Sequence, residues 1–293
     1  MRSGRPAQLA VPMRLSDYYE FSGILRRLGR SSVSDIVRWV STLPAILSAP
    51  APIDALSALC LVFPDTTQSQ ALALQRELAS DERFFSTLDY AMQHRRGRPT
   101  VRLGWHLLLY GVVRVSRPKF VLETGVFDGI SSALILRAME RNSEGTLISI
   151  DLPAREIIVD ATDRMPDGAL PQRCDPGWIV PEALRKRYRL HLGDSKELLP
   201  GLLQECGQVD IFLHDSLHTY QHQFFEYEIA WPFITPGGLL LSDDIFWSRA
   251  FHRFTRKQKA KYLNVGNFGI LRKLAFEAGL GNSPYSSIVE STV

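Results

Sequence analysis

The sequence predicts an α/β protein, a doubly wound and mostly parallel sheet with helices on both faces, preceded by an α-helical N-terminal extension. Three observations predict it. From Phe120 onward, short apolar runs alternate with helical segments, the pattern of parallel strands joined by crossover helices. The runs lack clean period-two alternation, as expected when helices cover both faces of a sheet. An acidic residue stands at or just after the end of five successive runs: Glu123, Asp151, Asp194, Asp215 and the pair Asp243-Asp244. Right-handed crossovers bring such positions to one edge of the sheet, where open α/β folds bind ligands.

The expected strands are Phe120–Glu123, Thr146–Asp151, Tyr188–Leu192, Asp210–Leu213, Gly238–Ser242 and Phe268–Leu271. Helices are expected over Ser131–Arg141, Ser195–Glu205 and His222–Ala230, and the apolar Trp105–Val115 is expected to pack on the sheet. Residues 1–100 read as a helical cap or oligomerisation segment, and residues 101–293 as the ligand-binding domain. Within the first part, residues 1–14 read as a loose arm. Apolar positions recur at helical spacing over Asp17–Leu47, with Ser16, Asp17 and Ser34 as candidate caps. Further helices are expected over Asp54–Val62 and, as one or two, over Gln68–Gln93. The insert Pro171–Pro181 reads as a loop, with Trp178 either packed on a helix or carried by a lid.

The composition sets bounds. The chain has 293 residues, 45% hydrophobic and 22% charged, with a net charge of +3, so nothing compels a polyanionic partner. The basic clusters, including Arg253–Lys261, read as solvated helix faces, and no nucleic-acid partner is expected. No membrane is expected either, because no stretch approaches the roughly 20 apolar residues of a spanning helix. Three scattered cysteines without a C-x-x-C pair suggest a reduced, cytoplasmic protein without structural zinc.

The organising stretch is Phe120–Ser131: an apolar strand, a glycine turn and a helix start. Gly125 and Gly129 allow the backbone to approach a ligand, and the helix N-terminus suits a carboxylate or phosphate. Asp151 lies 26 residues past Gly125, where a carboxylate can accept both hydroxyls of a ribose. The Gly-x-Gly-x-x-Gly spacing of a dinucleotide pyrophosphate site is absent, which disfavours NAD.

Glu123-Thr124-Gly125-Val126-Phe127-Asp128-Gly129-Ile130-Ser131 resembles the E-x-G-x-x-x-G-x-S turn of class I S-adenosylmethionine-dependent methyltransferases, particularly O-methyltransferases of the catechol and macrolide-sugar type. The segments Leu147–Asp151, His191–Ser195, Val209–Tyr220 and Trp231–Gly238 extend the resemblance over about Leu103–Leu274. It implies a Rossmann-like seven-stranded sheet and S-adenosylmethionine as cofactor. Gly125, Gly129 and Ser131 would approach its methionine part, with Glu123 beneath. Asp151 would bind the ribose, and Asp194 and Ser195 would lie near the adenine.

Asp215, Asp243 and Asp244 form a second constellation. Carboxylates brought together repel unless a cation sits between them, so Mg²⁺ is a candidate, as in the metal-dependent relatives. Such an ion would lower the pKa of a bound hydroxyl. His218, three residues past Asp215, is the favoured general base, with His214 and His252 as runners-up. Relatives often carry a second acid two residues after the fourth-strand Asp, where this chain has Leu217. Tyr220, Trp178 and Trp247 are candidate substrate walls. The leading expectation is O-methylation of a small hydroxylated molecule, with a homo-oligomer left open. The alternatives are a non-catalytic cofactor- or partner-binding protein, and a metal-dependent hydroxylase-like relative using two histidines and a carboxylate.

Overall fold

The computed structural model describes residues 42–43, 47–100, 104–153 and 169–274. The arm at 1–14 and nearly all of the helical stretch expected over Asp17–Leu47 lie outside the described residues.

Among the described residues, α1 Ala55–Val62, α2 Gln68–Ala79, α3 Glu82–Arg96 and α4 Gly104–Ser116 precede the sheet. Each of the first three starts on a polar cap. Asp54 accepts from the N–H groups of Leu56 and Ser57, Thr67 and Gln70 form a capping box, and Asp81 accepts from Phe84 N–H. The run expected over Gln68–Gln93 is therefore two helices, divided at Ser80-Asp81. Asp81 also binds Arg137 of the sheet-covering helix Ile130–Asn142, so its position as a cap ties the extension to the rest of the fold.

The sheet comprises β1 Phe120–Thr124, β2 Thr146–Asp151, β3 Tyr188–Leu192, β4 Val209–His214, β5 Ile234–Ser242, β6 Leu263–Val265 and β7 Phe268–Arg272. Its order is β3-β2-β1-β4-β5-β7-β6. The first five strands are parallel, and β7 runs antiparallel to both β5 and β6. The sheet is thus seven-stranded and mostly parallel, with Rossmann-like winding. The short β6 has too few residues to stand out as an apolar run. It is fixed by its partner, because Gly266 and Asn267 both take positive φ and close a two-residue hairpin turn. Strand β5 begins four residues before the expected Gly238, at Ile234, taking in Pro236 and Gly237.

Helices α5 Ile130–Asn142, α6 Ser195–Cys206, α7 Tyr220–Ala230 and α8 Ala250–Lys257 complete the layers. Alternate strand residues face opposite layers. Val121, Leu147, Ile211, Leu213, Leu239 and Leu241 join the buried side chains of α1–α5. Leu122, Ile148, Ile150, Phe212 and Leu240 pack with α6–α8. The described N-terminal helices therefore share a core layer with α4 and α5. Among the described residues no helix is long and apolar enough to cross a membrane.

Candidate functional site

Strand order reverses between β1 and β4, so the loops leaving these two strands flank the crevice where such sheets bind ligands. The loops touch. Gly125, with φ +82°, donates its N–H to Ile150, and a Cβ added to it would lie 2.0 Å from the Asp215 carbonyl oxygen. Glycine is needed here on both conformational and steric grounds. Four residues later Gly129, with φ +100°, is the N-cap of α5, and α5 has no side-chain cap. Its first-turn N–H groups, at the positive end of the helix dipole, are thus left without a capping side chain.

Asp151 Oδ2 accepts from the Val126 and Phe127 N–H groups at 2.6 and 2.8 Å. The other carboxylate oxygen accepts nothing from the described residues. Burial pushes this carboxyl above the ordinary range, against the two N–H bonds that pull it down. Asp151 therefore shapes the glycine turn with one oxygen, and its second has no donor among the described residues.

Glu123 is fully buried. It accepts from the hydroxyls of Ser131 and Ser132 at 2.6 Å and Ser149 at 2.7 Å. Burial raises its pKa despite these three bonds. Its carboxyl and the Ser131 side chain are used inside the protein, pinning the start of α5 to β1 and β2. Asp194 caps α6 through Lys196 N–H at 2.8 Å.

The segment 171–181 is docked on the glycine turn. Gly177 donates to Phe127 O and Ile179 to Asp128 O, and a Cβ on Gly129 would lie 2.6 Å from Gly177 Cα. Trp178 Nε1 donates to Asp128, which also takes a bidentate pair from Arg96 at the end of α3. The extension thus reaches the glycine turn directly through Arg96, and Trp178 packs over it.

Ser195 belongs to a buried network that sequence reasoning missed. Glu226, on α7 and fully buried, accepts through Oε1 from Ser195 Oγ at 2.5 Å and Ser216 Oγ at 2.9 Å, with His222 Nε2 at 2.8 Å. Its Oε2 accepts from Thr124 Oγ1 at 2.5 Å and pairs with His214 Nδ1 at 2.6 Å. Burial alone would raise the Glu226 pKa, but the His214 charge and the bonds from both histidines outweigh it and depress it. His214 is thereby held through Nδ1, while its Nε2 has no partner among the described residues. The available signal was His222 and Glu226 four residues apart on one helix face, a spacing that sets side chains together.

At the neighbouring edge, His218 Nε2 lies 3.8 Å from Asp215 Oδ1 and has no hydrogen-bond partner among the described residues. Burial, and then the nearby His214, lower the His218 pKa to about 3, so the imidazole is neutral at pH 7. Its ring sits 6.2 Å from that of Trp247. Burial raises the Asp215 pKa well above the ordinary value, with Asp243 and then Asp244 adding to the shift. Burial and Asp244 push Asp243 to about 8. Asp244, at φ +50°, accepts from Asn267 Nδ2 at 2.5 Å and is held toward the β6–β7 turn. Three carboxyls suit a hard cation chemically. As arranged, however, no group of three His, Cys, Asp or Glu side chains among the described residues can hold a metal ion. His252 lies elsewhere, on α8, 3.3 Å from Ser48 Oγ.

The raised Asp243 pKa fixes the sign of a stability effect. Between its unfolded value near 3.8 and its folded value of about 8, the folded chain holds the extra proton, so stability falls as pH rises. His218 acts oppositely, but only below its ordinary value of 6.5. From pH 6.5 to 8 the parent should lose stability relative to Asp243→Asn, by up to about 1 kcal/mol per pH unit. Urea melts across that window check this; parallel curves would remove the buried acid as the cause.

Residues 122–245 match the family described as "Methyltransferase domain". A comparison with curated proteins finds no match. Among solved structures, a Podospora anserina methyltransferase, PaMTH1, bound to SAH is 13% identical; the alignment covers 64% of this chain and 88% of that one, TM-score 0.47. The O-methyltransferase TomG from Streptomyces achromogenes, involved in tomaymycin synthesis and solved with SAM, is 16% identical over 67% of this chain and 92% of its own, TM-score 0.47. An O-methyltransferase from Bacillus cereus in complex with SAH is 16% identical over 65% and 91%, TM-score 0.45. The strand order is that of a Rossmann-like methyltransferase fold, and residues 122–245, which carry the glycine turn, are similar to the methyltransferase domain family.

Proposed function

We propose that the protein transfers the methyl group of S-adenosylmethionine to a hydroxyl oxygen of a small molecule. The observation that carries this reading is the pairing of an uncapped α5 N-terminus with the open oxygen of Asp151, both at the β1/β4 crevice. Together they supply what an amino acid joined to a nucleoside needs. N–H donors at a helix end face the carboxylate, and a carboxylate acceptor faces the ribose. Gly125 and Gly129 keep the approach open, and Glu123 holds the helix start in place. Asp194 and Ser195 lie at the end of β3, on the adenine side.

When bound, the cofactor supplies a methyl group activated on a sulfonium. The chain's residues position the acceptor and manage its proton. His218 is neutral and its Nε2 is unpartnered, so it can take the hydroxyl proton. Asp215 Oδ1 lies 3.8 Å from that nitrogen; because burial and the neighbouring acids oppose its ionisation, its role is to position the ring rather than to balance its charge. Positioning the oxygen in line with the methyl group supplies much of the remaining acceleration.

Mg²⁺ assistance is a second reading, favoured by the mutual repulsion of Asp215, Asp243 and Asp244. The described side chains do not converge as a ligand set, so no step is assigned to a metal. Turnover that survives chelation by EDTA unchanged would dismiss it.

Calorimetric titration with S-adenosylmethionine tests the main reading, and absence of binding would overturn it. For His218→Gln, turnover at pH 7 should fall about 100-fold, the usual scale of a lost general base. Cofactor affinity should change less than about twofold, and activity should recover in part at high pH as the acceptor hydroxyl ionises by itself. Equal kcat in parent and variant would remove His218 as the base.

A further inference from the structure

The reading above names no feature of the acceptor beyond a hydroxyl. A cleft of about 850 Å³ opens between α7 and α8, within the range of small-molecule sites. Its two walls differ in chemistry. On α7, Tyr220 and Phe224 stack with ring centroids 5.6 Å apart and an interplanar angle of 16°. On the other wall, Arg249, Arg253, Arg256 and Lys257 line the cleft. The reason lies in helix spacing. Phe251 and Phe254 turn inward to pack on Tyr227, so the intervening positions face out together.

The charges are only partly compensated. Lys257 pairs with Glu228 of α7. Among the described residues Arg249, Arg253 and Arg256 have no carboxylate partner, which leaves three guanidinium groups over one aromatic wall. Guanidinium forks bind phosphate oxygens bidentately, and an isolated cluster of this kind is repulsive until an anion joins it. The cleft also adjoins the reaction centre. Tyr220 begins α7 two residues after His218, and Arg249 follows Trp247, whose ring lies 6.2 Å from the His218 ring.

We propose that this cleft binds the phosphate end of a phosphorylated acceptor, whose hydroxyl then reaches His218. This rests on the methyltransferase reading for the acceptor's role, though not for the anion site itself. The run Arg253–Lys261, read from sequence as a solvated face, would thus be in part a binding wall.

The test is calorimetry on the full chain at low ionic strength, with inorganic pyrophosphate as probe and S-adenosylmethionine titrated separately. The variant is Arg253→Gln combined with Arg256→Gln; both side chains are exposed, so the fold should tolerate it. Pyrophosphate should bind the parent saturably and the double variant at least about tenfold more weakly, with cofactor affinity unchanged. No binding to the parent, or equal binding by both proteins, would overturn the proposal. If a DNA duplex binds more tightly than pyrophosphate and is lost in the variant, the surface reads nucleic acid and the proposal falls. If pyrophosphate behaves as expected but the cofactor does not bind, the anion site stands and the acceptor role falls with the methyltransferase reading.

Discussion

Replacing Glu226 with leucine should cost about 3–5 kcal/mol of folding stability, the largest loss expected from one side chain in the network. Both carboxylate oxygens are occupied: three hydroxyls donate to them, and two histidines pair with them. Leucine would leave His214, His222, Thr124, Ser195 and Ser216 facing an apolar group in a site closed to water. An unpaired buried polar group costs far more than its bond contributes when made, because its lost hydration is not returned. For a domain of this size the melting temperature should drop by about 10 °C. Glu226→Gln keeps the shape and one acceptor, so it should lose less. The consequence extends to the site, because Thr124, Ser195 and Ser216 sit at the ends of β1, β3 and β4. Thermal melts of the two variants decide the matter. A loss below about 0.5 kcal/mol for Glu226→Leu, the scale of an ordinary surface change, would show that the network is not the clamp its geometry implies.

Asp151→Ala should weaken S-adenosylmethionine binding by about 100-fold, near 3 kcal/mol. Two contributions add. A carboxylate that accepts ribose hydroxyls makes charge-assisted bonds, each stronger than a neutral one. The same side chain holds Val126 and Phe127 through Oδ2, so its loss also frees the glycine turn that must frame the cofactor. Asp151→Asn separates these contributions. Its carbonyl can still serve the turn, while its amide cannot accept from ribose in place of the free carboxylate oxygen. Calorimetry should therefore rank the parent above Asp151→Asn, and Asp151→Asn above Asp151→Ala. Unchanged affinity in Asp151→Ala would remove this residue from the ribose site.

Much of this was legible in the order of the residues. Apolar runs of strand length, separated by helical periods, specify a covered parallel sheet because each strand must bury both faces. Carboxylates after successive strands then fall along one edge by topology alone. The glycine turn was legible for a related reason: the positive φ of Gly125 and Gly129 is a local property that other residues resist. The antiparallel β6–β7 hairpin was only half visible, since three residues carry no usable periodicity and Leu263–Val265 becomes a strand through its pairing with β7.

What the sequence by itself determined, then, was the winding of the sheet, the glycine turn and the acid at the end of β2. These follow from short-range stereochemistry and hydrophobic period, which a chain carries along its length. Only the tertiary structure decided how polar side chains were shared. Glu123 serves Ser131, Ser132 and Ser149; Glu226 draws residues from three strand ends around itself; and Asp244 turns toward Asn267 while Asp215 faces His218. Such assignments depend on distances between residues up to about a hundred positions apart, as between Thr124 and Glu226. A carboxylate looks the same in sequence whether it faces a ligand or a buried hydroxyl, and the difference is set by which partner reaches it once water has been excluded.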